Sequence, residues 1–542
     1  MDKPVLLYTF ASFALLYLVQ RSWTTGRRHP NMPPGPPTKP IIGNILDMPK
    51  GRLHLAFTEW AKQYGDVFSL KVLGQTIIVL NTPTIIKEVI DRHATASAGR
   101  PKSIIAEMIV HDGLNLGLSR HAGSSWKAMR KAANQALSNE NIRKMTTYRR
   151  AEAAQLMWEF ANQPDAWFHH VRRYTTSLVL AVIYGIRGPT LHNPNVKSFM
   201  EVHPIYLRCL DIGTMPPVDL FPILTYVPER FAKWKLLPKK VKHMQEELYD
   251  RTLATVEKRV ASGQGIGSFM EELLTKAPSF GISTREHLVH FGGTLMEGSD
   301  STSGSLQVII LALTRYPEVQ KKAHEEMDRI VGRDRTPNEQ DVPQLKYVQA
   351  IIDECYRFRP VGPLGVPHSM AEDAVIDGYF YPKDAAVFIN VYGLFRDERY
   401  FDKPDQFNPD RFLKHPFGIK EGVEDDPARR PNILFGGGKR VCPGIAFTKS
   451  SLELNTANFI WGFDFLPAID PVTGKEIFPN LDDYTDGITA HPKNFPLRIR
   501  PRSAHHKDLI ERQFQSVSDI LSRHEYDLTP VDLEFNAKYR DI

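Results

Sequence analysis

The segment Phe435-Gly436-Gly437-Gly438-Lys439-Arg440-Val441-Cys442-Pro443-Gly444 concentrates more chemistry than any other stretch of this chain. Its glycines allow the backbone to approach a flat ligand closely. Pro443 suits the first turn of a helix, and a helix N-terminus favours an ionised thiol beside it. Cys442 therefore reads as a thiolate ligand for a metal held against this loop, with Arg440 as a cation for a nearby anionic group. A lone cysteine is more often a small apolar residue. Cys209 and Cys355, the other two cysteines of the chain, fit that description. An odd, sparse set excludes a disulfide framework and any multi-cysteine zinc or iron–sulfur site. Metal chemistry must rest on a single sulfur.

Three further spacings carry charge. Trp126-Lys127-Ala128-Met129-Arg130 sets Trp126 and Arg130 one helical turn apart, so both can reach one anion. Glu354-Cys355-Tyr356-Arg357 puts an acid and a guanidinium on one helix face. Such a pair on the surface is worth some tenths of a kcal/mol. If it is buried, removal of one partner costs roughly 3–5 kcal/mol. Glu297-Gly298-Ser299-Asp300-Ser301-Thr302 interrupts a long apolar pattern with a small residue, acids and alcohols. It reads either as a proton relay or as a polar kink without catalytic work.

Together these motifs resemble cytochrome P-450, specifically the membrane-bound enzymes of filamentous-fungal secondary metabolism, over nearly the whole chain beyond its N-terminus. The decisive pattern is F-x-x-G-x-R-x-C-x-G, met at every fixed position from Phe435 to Gly444. The resemblance implies the cytochrome P-450 fold, mainly α with minor β. It implies heme b (iron protoporphyrin IX), with Cys442 as the metal ligand and Phe435 beside the cofactor. Trp126, Arg130 and Arg440 would face the haem propionates. His368 would be a further donor, or else a satisfied surface histidine. Asp300 and Ser301 would pass protons toward bound dioxygen, with Thr302 as substitute if the register differs by one residue. Ser301 stands where threonine is usual, and Glu297 where a small residue is usual. Serine keeps the hydroxyl but loses the methyl that restricts its rotamer.

The implied activity is a monooxygenase that inserts one atom of O2 into a small apolar or aromatic, polyketide-like molecule. NADPH-derived electrons would arrive through NADPH–cytochrome P-450 reductase, with cytochrome b5 as a second donor. Lys127, Lys131, Lys439 and Lys449 would offer such a partner a basic face. A haem-thiolate isomerase or dehydratase working without O2 is one alternative, and a non-enzymatic membrane haem protein is another. The retained Asp300–Ser301 pair and the propionate set argue against both.

These residues need a scaffold. Residues 5–19, VLLYTFASFALLYLV, carry no charge, and extension to Trp23 gives a helix of about 28 Å, near the hydrocarbon thickness of a bilayer. A single membrane anchor is expected over residues 1–23. A signal peptide is the competing reading, but no small-residue cleavage site follows. Arg21, Arg27 and Arg28 after the span keep the body cytosolic, on an endoplasmic reticulum membrane. A proline-rich hinge over 24–40, a catalytic domain over 41–501 and an extension over 502–542 follow. Helices are expected at 51–64, 83–92, 126–137, 146–162, 241–261, 284–316, 317–331, 342–357, 444–463 and 508–523. Short strands are expected at 67–72, 76–80, 375–376, 379–381 and 386–390. Arg100 or Arg208 could hold an acid of the substrate, but a structural role is expected for them. The net charge of +6 is spread too thinly for nucleic acid.

Overall fold

The computed structural model describes residues 25–540 apart from 112 and 283. The anchor expected at residues 1–23 lies outside these. Among the described residues no helix is long and apolar enough to cross a membrane.

The molecule is organised around the helix Arg285–Arg315. Its 31 residues run about 46 Å, long enough to cross the body. Trp167–Tyr184, Leu236–Ala261, Lys346–Phe358 and Ile445–Gly462 pack along it. Gly293 permits the second of these approaches, because a Cβ there would fall 2.3 Å from the Tyr249 ring. The minor β part lies to one side, as a sheet ordered Val67–Val72, Gln75–Leu80, Ala386–Ile389, His368–Ser369. Val72 opposes Gln75 across a two-residue turn, and Leu73 takes a left-handed φ of 53° there. The parallel pairing of Ile77–Leu80 with Ala386–Ile389 joins segments more than 300 residues apart and brings His368 to the sheet edge.

Most expected elements are present with shifted ends. The helix expected at 241–261 begins at Leu236, and the one expected at 342–357 splits into a 3-10 turn Val342–Gln344 and the helix Lys346–Phe358. The largest omission is Trp167–Tyr184. Nearly all of it is buried, so it has no polar stripe to reveal a helical period, and its TTSLVLAVI core is rich in β-branched residues. Pro194–Leu210 escaped notice because Pro204 sits inside it.

The segment expected as a hinge is pinned to the body over its described part. Arg28 donates to Ser69 Oγ at 2.9 Å and to the carbonyls of Gly35, Pro36 and Ser69 at 2.8–3.0 Å. The C-terminal extension is likewise built in. In place of one helix it forms Ala504–Ser516, Ser518–Ser522 and Pro530–Tyr539. Its Glu525 pairs with the buried Arg187 at 2.5 Å and with Arg540, while Arg187 and Arg173 share Glu152.

Candidate functional site

The site begins with a buried charge cluster. Glu354 is wholly buried and takes a forked pair of bonds from Arg357 at 2.7 and 2.8 Å. Arg411 Nε lies 3.3 Å away, and the Asn408 amide donates to the same carboxylate at 2.7 Å. Arg357 also donates to the carbonyls of Phe395, Pro404 and Gln406. The acid and its cations thus hold a chain segment with little regular structure that leads toward the cysteine loop.

That loop is fixed at both ends. Gly438 adopts φ 55° with its backbone against the Ile90 carbonyl, where a Cβ would come within 2.2 Å, so only glycine fits. Its amide donates to Asp91 Oδ1 at 2.8 Å. The Cys442 amide donates to the Phe435 carbonyl at 2.9 Å, and the Gly444 amide points at Cys442 Sγ, 3.4 Å away. The helix Ile445–Gly462 starts immediately beyond. Burial raises the thiol pKa, and the Gly444 amide and Arg130 work against it. A bound cation would complete that balance and favour the thiolate.

Cys442 lines a cavity of about 410 Å³ between this loop and the helix Arg285–Arg315. Of the residues expected at the site, Trp126, Arg130, His368, Phe435, Arg440 and Ser301 line it too. A methyl added at Gly298 on one wall or at Gly436 on the other would meet nothing within 4 Å. Open backbone on both sides suits a flat group held between them. The residues present therefore fit a haem: one sulfur, a glycine with open space before it on each of two walls, and a cationic rim.

The rim differs in detail from expectation. Arg440 is buried, lies 4.4 Å over the Trp126 ring, and donates to the carbonyls of Ala98, Leu116 and Ser119 at 2.7–3.3 Å. Trp126 Nε1 donates to the same Leu116 carbonyl at 3.0 Å. These two thus shape the loop before the helix Ser124–Ala136 as well as the cavity. His368 is buried, which removes the surface-histidine reading. Its Nδ1 sits 2.8 Å from the Ser97 carbonyl, and burial, then Arg100, push its pKa down to about 3. It is a neutral imidazole unless a carboxylate is brought against it.

Arg100, expected to be structural, also faces the cavity. It is buried, bonded to the carbonyls of Gly117, Val366 and Pro367, and pushed down to about 9 by burial and by Arg440. No single spacing signals it, because its position depends on the pairing of Gly99 with Ser369.

Opposite the sulfur, three consecutive residues diverge as a helix requires. Ser301 faces the cavity and donates to the Gly298 carbonyl at 3.1 Å. Thr302 is buried against Thr448 Oγ1 at 3.4 Å, so the alternative register that would give it Ser301's place is not realised. Asp300 does not line the cavity. It receives a bond from Thr489 at 3.1 Å and lies 3.8 Å from both His203 and His491. Burial alone would raise its pKa, but the two histidines and Arg172 hold the carboxyl below the usual range.

A model of the cytochrome P450 family matches residues 33–495. The chain belongs to the cytochrome P450 family. A cytochrome P450 monooxygenase of Armillaria gallica is 38% identical over 95% of this chain and 96% of its own length. The cytochrome P450 monooxygenase yanC of Aspergillus niger is 33% identical over 94% and 97%. A zebrafish cytochrome P450 solved with progesterone superposes with a TM-score of 0.68 at 22% identity, over 83% of this chain and 99% of that one, and so speaks for the fold. This P450 is a haem monooxygenase: the family holds its haem through a cysteine thiolate and uses O2 with NADPH-derived electrons delivered by a reductase. The readings without O2 or without catalysis are not favoured by these relatives. In this P450 the four lysines expected on the docking face, Lys127, Lys131, Lys439 and Lys449, are all exposed.

Proposed function

We propose that Cys442 would supply the thiolate that holds the haem in this P450 and that the enzyme inserts one oxygen atom into a small apolar or aromatic molecule of polyketide type. The reading rests on one observation: Cys442 Sγ opens into a cavity whose walls are mostly apolar and whose rim carries Arg100, Arg130 and Arg440. Haem, when bound, supplies dioxygen activation and transfer of oxygen to a C–H bond. The propionates would meet Arg100, Arg130, Arg440 and Trp126, with His368 protonated by their approach.

One oxygen atom enters the substrate and the other leaves as water, so protons must reach the cavity. Ser301 is the hydroxyl that faces it. Asp300 is ionised and belongs to a polar cluster of His203, His491, Thr489 and Arg172, of which Thr489 reaches the cavity wall. In this reading Asp300 collects a proton from that cluster, and Ser301, the next residue on the same helical turn, hands protons on. Residues 1–23 would anchor the enzyme to the endoplasmic reticulum membrane. The exposed lysines would receive NADPH–cytochrome P-450 reductase or cytochrome b5.

The test is spectroscopic. Reduced protein under carbon monoxide should show the red-shifted Soret band of thiolate ligation, and Cys442→Ala should abolish it. A folded, haem-loaded wild type without that band would refute the assignment.

A further inference from the structure

Glu297 is the acid for which the monooxygenase reading has no use. It lines the cavity four residues before Ser301, where its neighbours on the wall are Leu295, Val179, Val182 and Ile183. Its accessible surface opens onto this cavity, and the group lies deep in the molecule. An unpaired carboxylate in such a place would be costly, and a buried acid is retained only with partners.

The partners come from three other elements. Asn115, in the loop before Ser124–Ala136, donates through Nδ2 to both carboxyl oxygens at 3.1 and 3.4 Å. The same amide lies 3.4 Å from the Tyr206 hydroxyl, on the helix Pro194–Leu210. Tyr249, on Leu236–Ala261, lies against the carboxyl from the third side. No cation takes part in this set of contacts. Burial raises the carboxyl pKa to about 8, against which Asn115 and Tyr249 act. At neutral pH Glu297 is therefore mostly a neutral acid, with an O–H to donate and a carbonyl to accept.

We propose that Glu297 is the polar anchor of the substrate cavity and binds a phenolic hydroxyl on an otherwise apolar molecule, with Asn115, Tyr206 and Tyr249 as positioning residues behind it. The inference rests on the monooxygenase reading for its cavity. A phenol both donates and accepts, so it pairs reciprocally with a protonated carboxyl. An aryl ether only accepts. An arylcarboxylate would meet an acid that carries no countercharge. An amine would require Glu297 to be ionised.

Equilibrium dialysis of the haem-loaded enzyme tests this with ring-matched probes: 2-naphthol, 2-methoxynaphthalene and a quaternary amine, (2-naphthylmethyl)trimethylammonium, which has no lone pair for the iron. Wild type should bind the naphthol about tenfold more tightly than the ether, the effect of one buried hydrogen bond. Glu297→Gln should keep part of that preference, because an amide also donates and accepts. Glu297→Leu should abolish it and leave ether binding within about twofold. If Glu297→Leu does not hold haem, Asn115→Ala takes its place and should weaken naphthol binding selectively. Equal binding of naphthol and ether by wild type, an unchanged preference in the variants, or a preference for the amine would each overturn the proposal. A purely structural role for Glu297 would shift all three probes together. The carbon monoxide band is recorded on the same samples, so failure of the thiolate assignment is seen separately from failure of the anchor.

Discussion

Replacement of Glu354 by glutamine should be among the most damaging conservative changes in this P450. Among the described residues, this carboxylate is the acid in ion-pair contact with both guanidiniums, one of them 1% exposed and the other 9%. Glutamine preserves the shape but strands both cations, for which the expected cost is roughly 3–5 kcal/mol. Against a total stability of about 5–15 kcal/mol, that is a large share. With an m-value of about 3 kcal/mol/M, the urea midpoint should fall by about 1–1.7 M. The structure also ranks the neighbours. Arg357→Met should be worse, because it removes both forked bonds and leaves the carbonyls of Phe395, Pro404 and Gln406 without their donor. Arg411→Met should be mildest, because the forked pair survives. The assay is urea unfolding followed by tryptophan fluorescence, with the carbon monoxide band read at each step. The band should disappear before global unfolding in Glu354→Gln, because the cluster holds the segment leading to the cysteine loop. A midpoint within 0.3 M of wild type, or Arg411→Met as the worst of the three, would show that the cluster does not act as argued.

Ser301→Ala should retain haem but release more peroxide per NADPH consumed, and Asp300→Asn should slow product formation by about 10²-fold; a peroxide assay beside oxygen uptake measures both. Glu297→Gln should gain stability relative to wild type as pH rises. The folded acid keeps its proton to about pH 8 whereas the unfolded one loses it near 4.5, so wild type weakens progressively between those values. Thermal melts at pH 5 and pH 8.5 check the sign: the difference should be small at the first and favour glutamine at the second. Glu525→Ala leaves Arg187 and Arg540 without their shared acid and should cost roughly 3–5 kcal/mol by urea unfolding, although it lies in the C-terminal extension.

What could be read in the sequence was what depends on near neighbours. Cys442, Arg440 and Phe435 lie in one loop, Trp126 and Arg130 on one turn, and Glu354 and Arg357 on one helix face, so spacing alone brings them together. Arg100 and Glu297 were not assigned site roles because their meaning comes from long-range contacts. Arg100 reaches the rim only once Gly99 has paired with Ser369. Glu297 becomes an internal acid only when Asn115, Tyr206 and Tyr249 arrive from other elements. The choice between Ser301 and Thr302 turns on 100° of helix rotation, which packing against Thr448 decides. Helices buried on all sides, such as Trp167–Tyr184, lack the polar face from which periodicity is read.

The position of Glu525 has a consequence for how the molecule is made. Arg187 and Glu152 are wholly buried near the middle of the body, yet Arg187 obtains its second acid from the last part of the chain. Synthesis runs from the N-terminus, and segments begin to fold as they emerge. The interior around Arg187 therefore keeps its pairing with Glu152 but lacks its Glu525 contact until the final helices leave the ribosome. The last helices thus tie the end of the chain to its middle, and the body reaches its full set of buried ion pairs only when they dock.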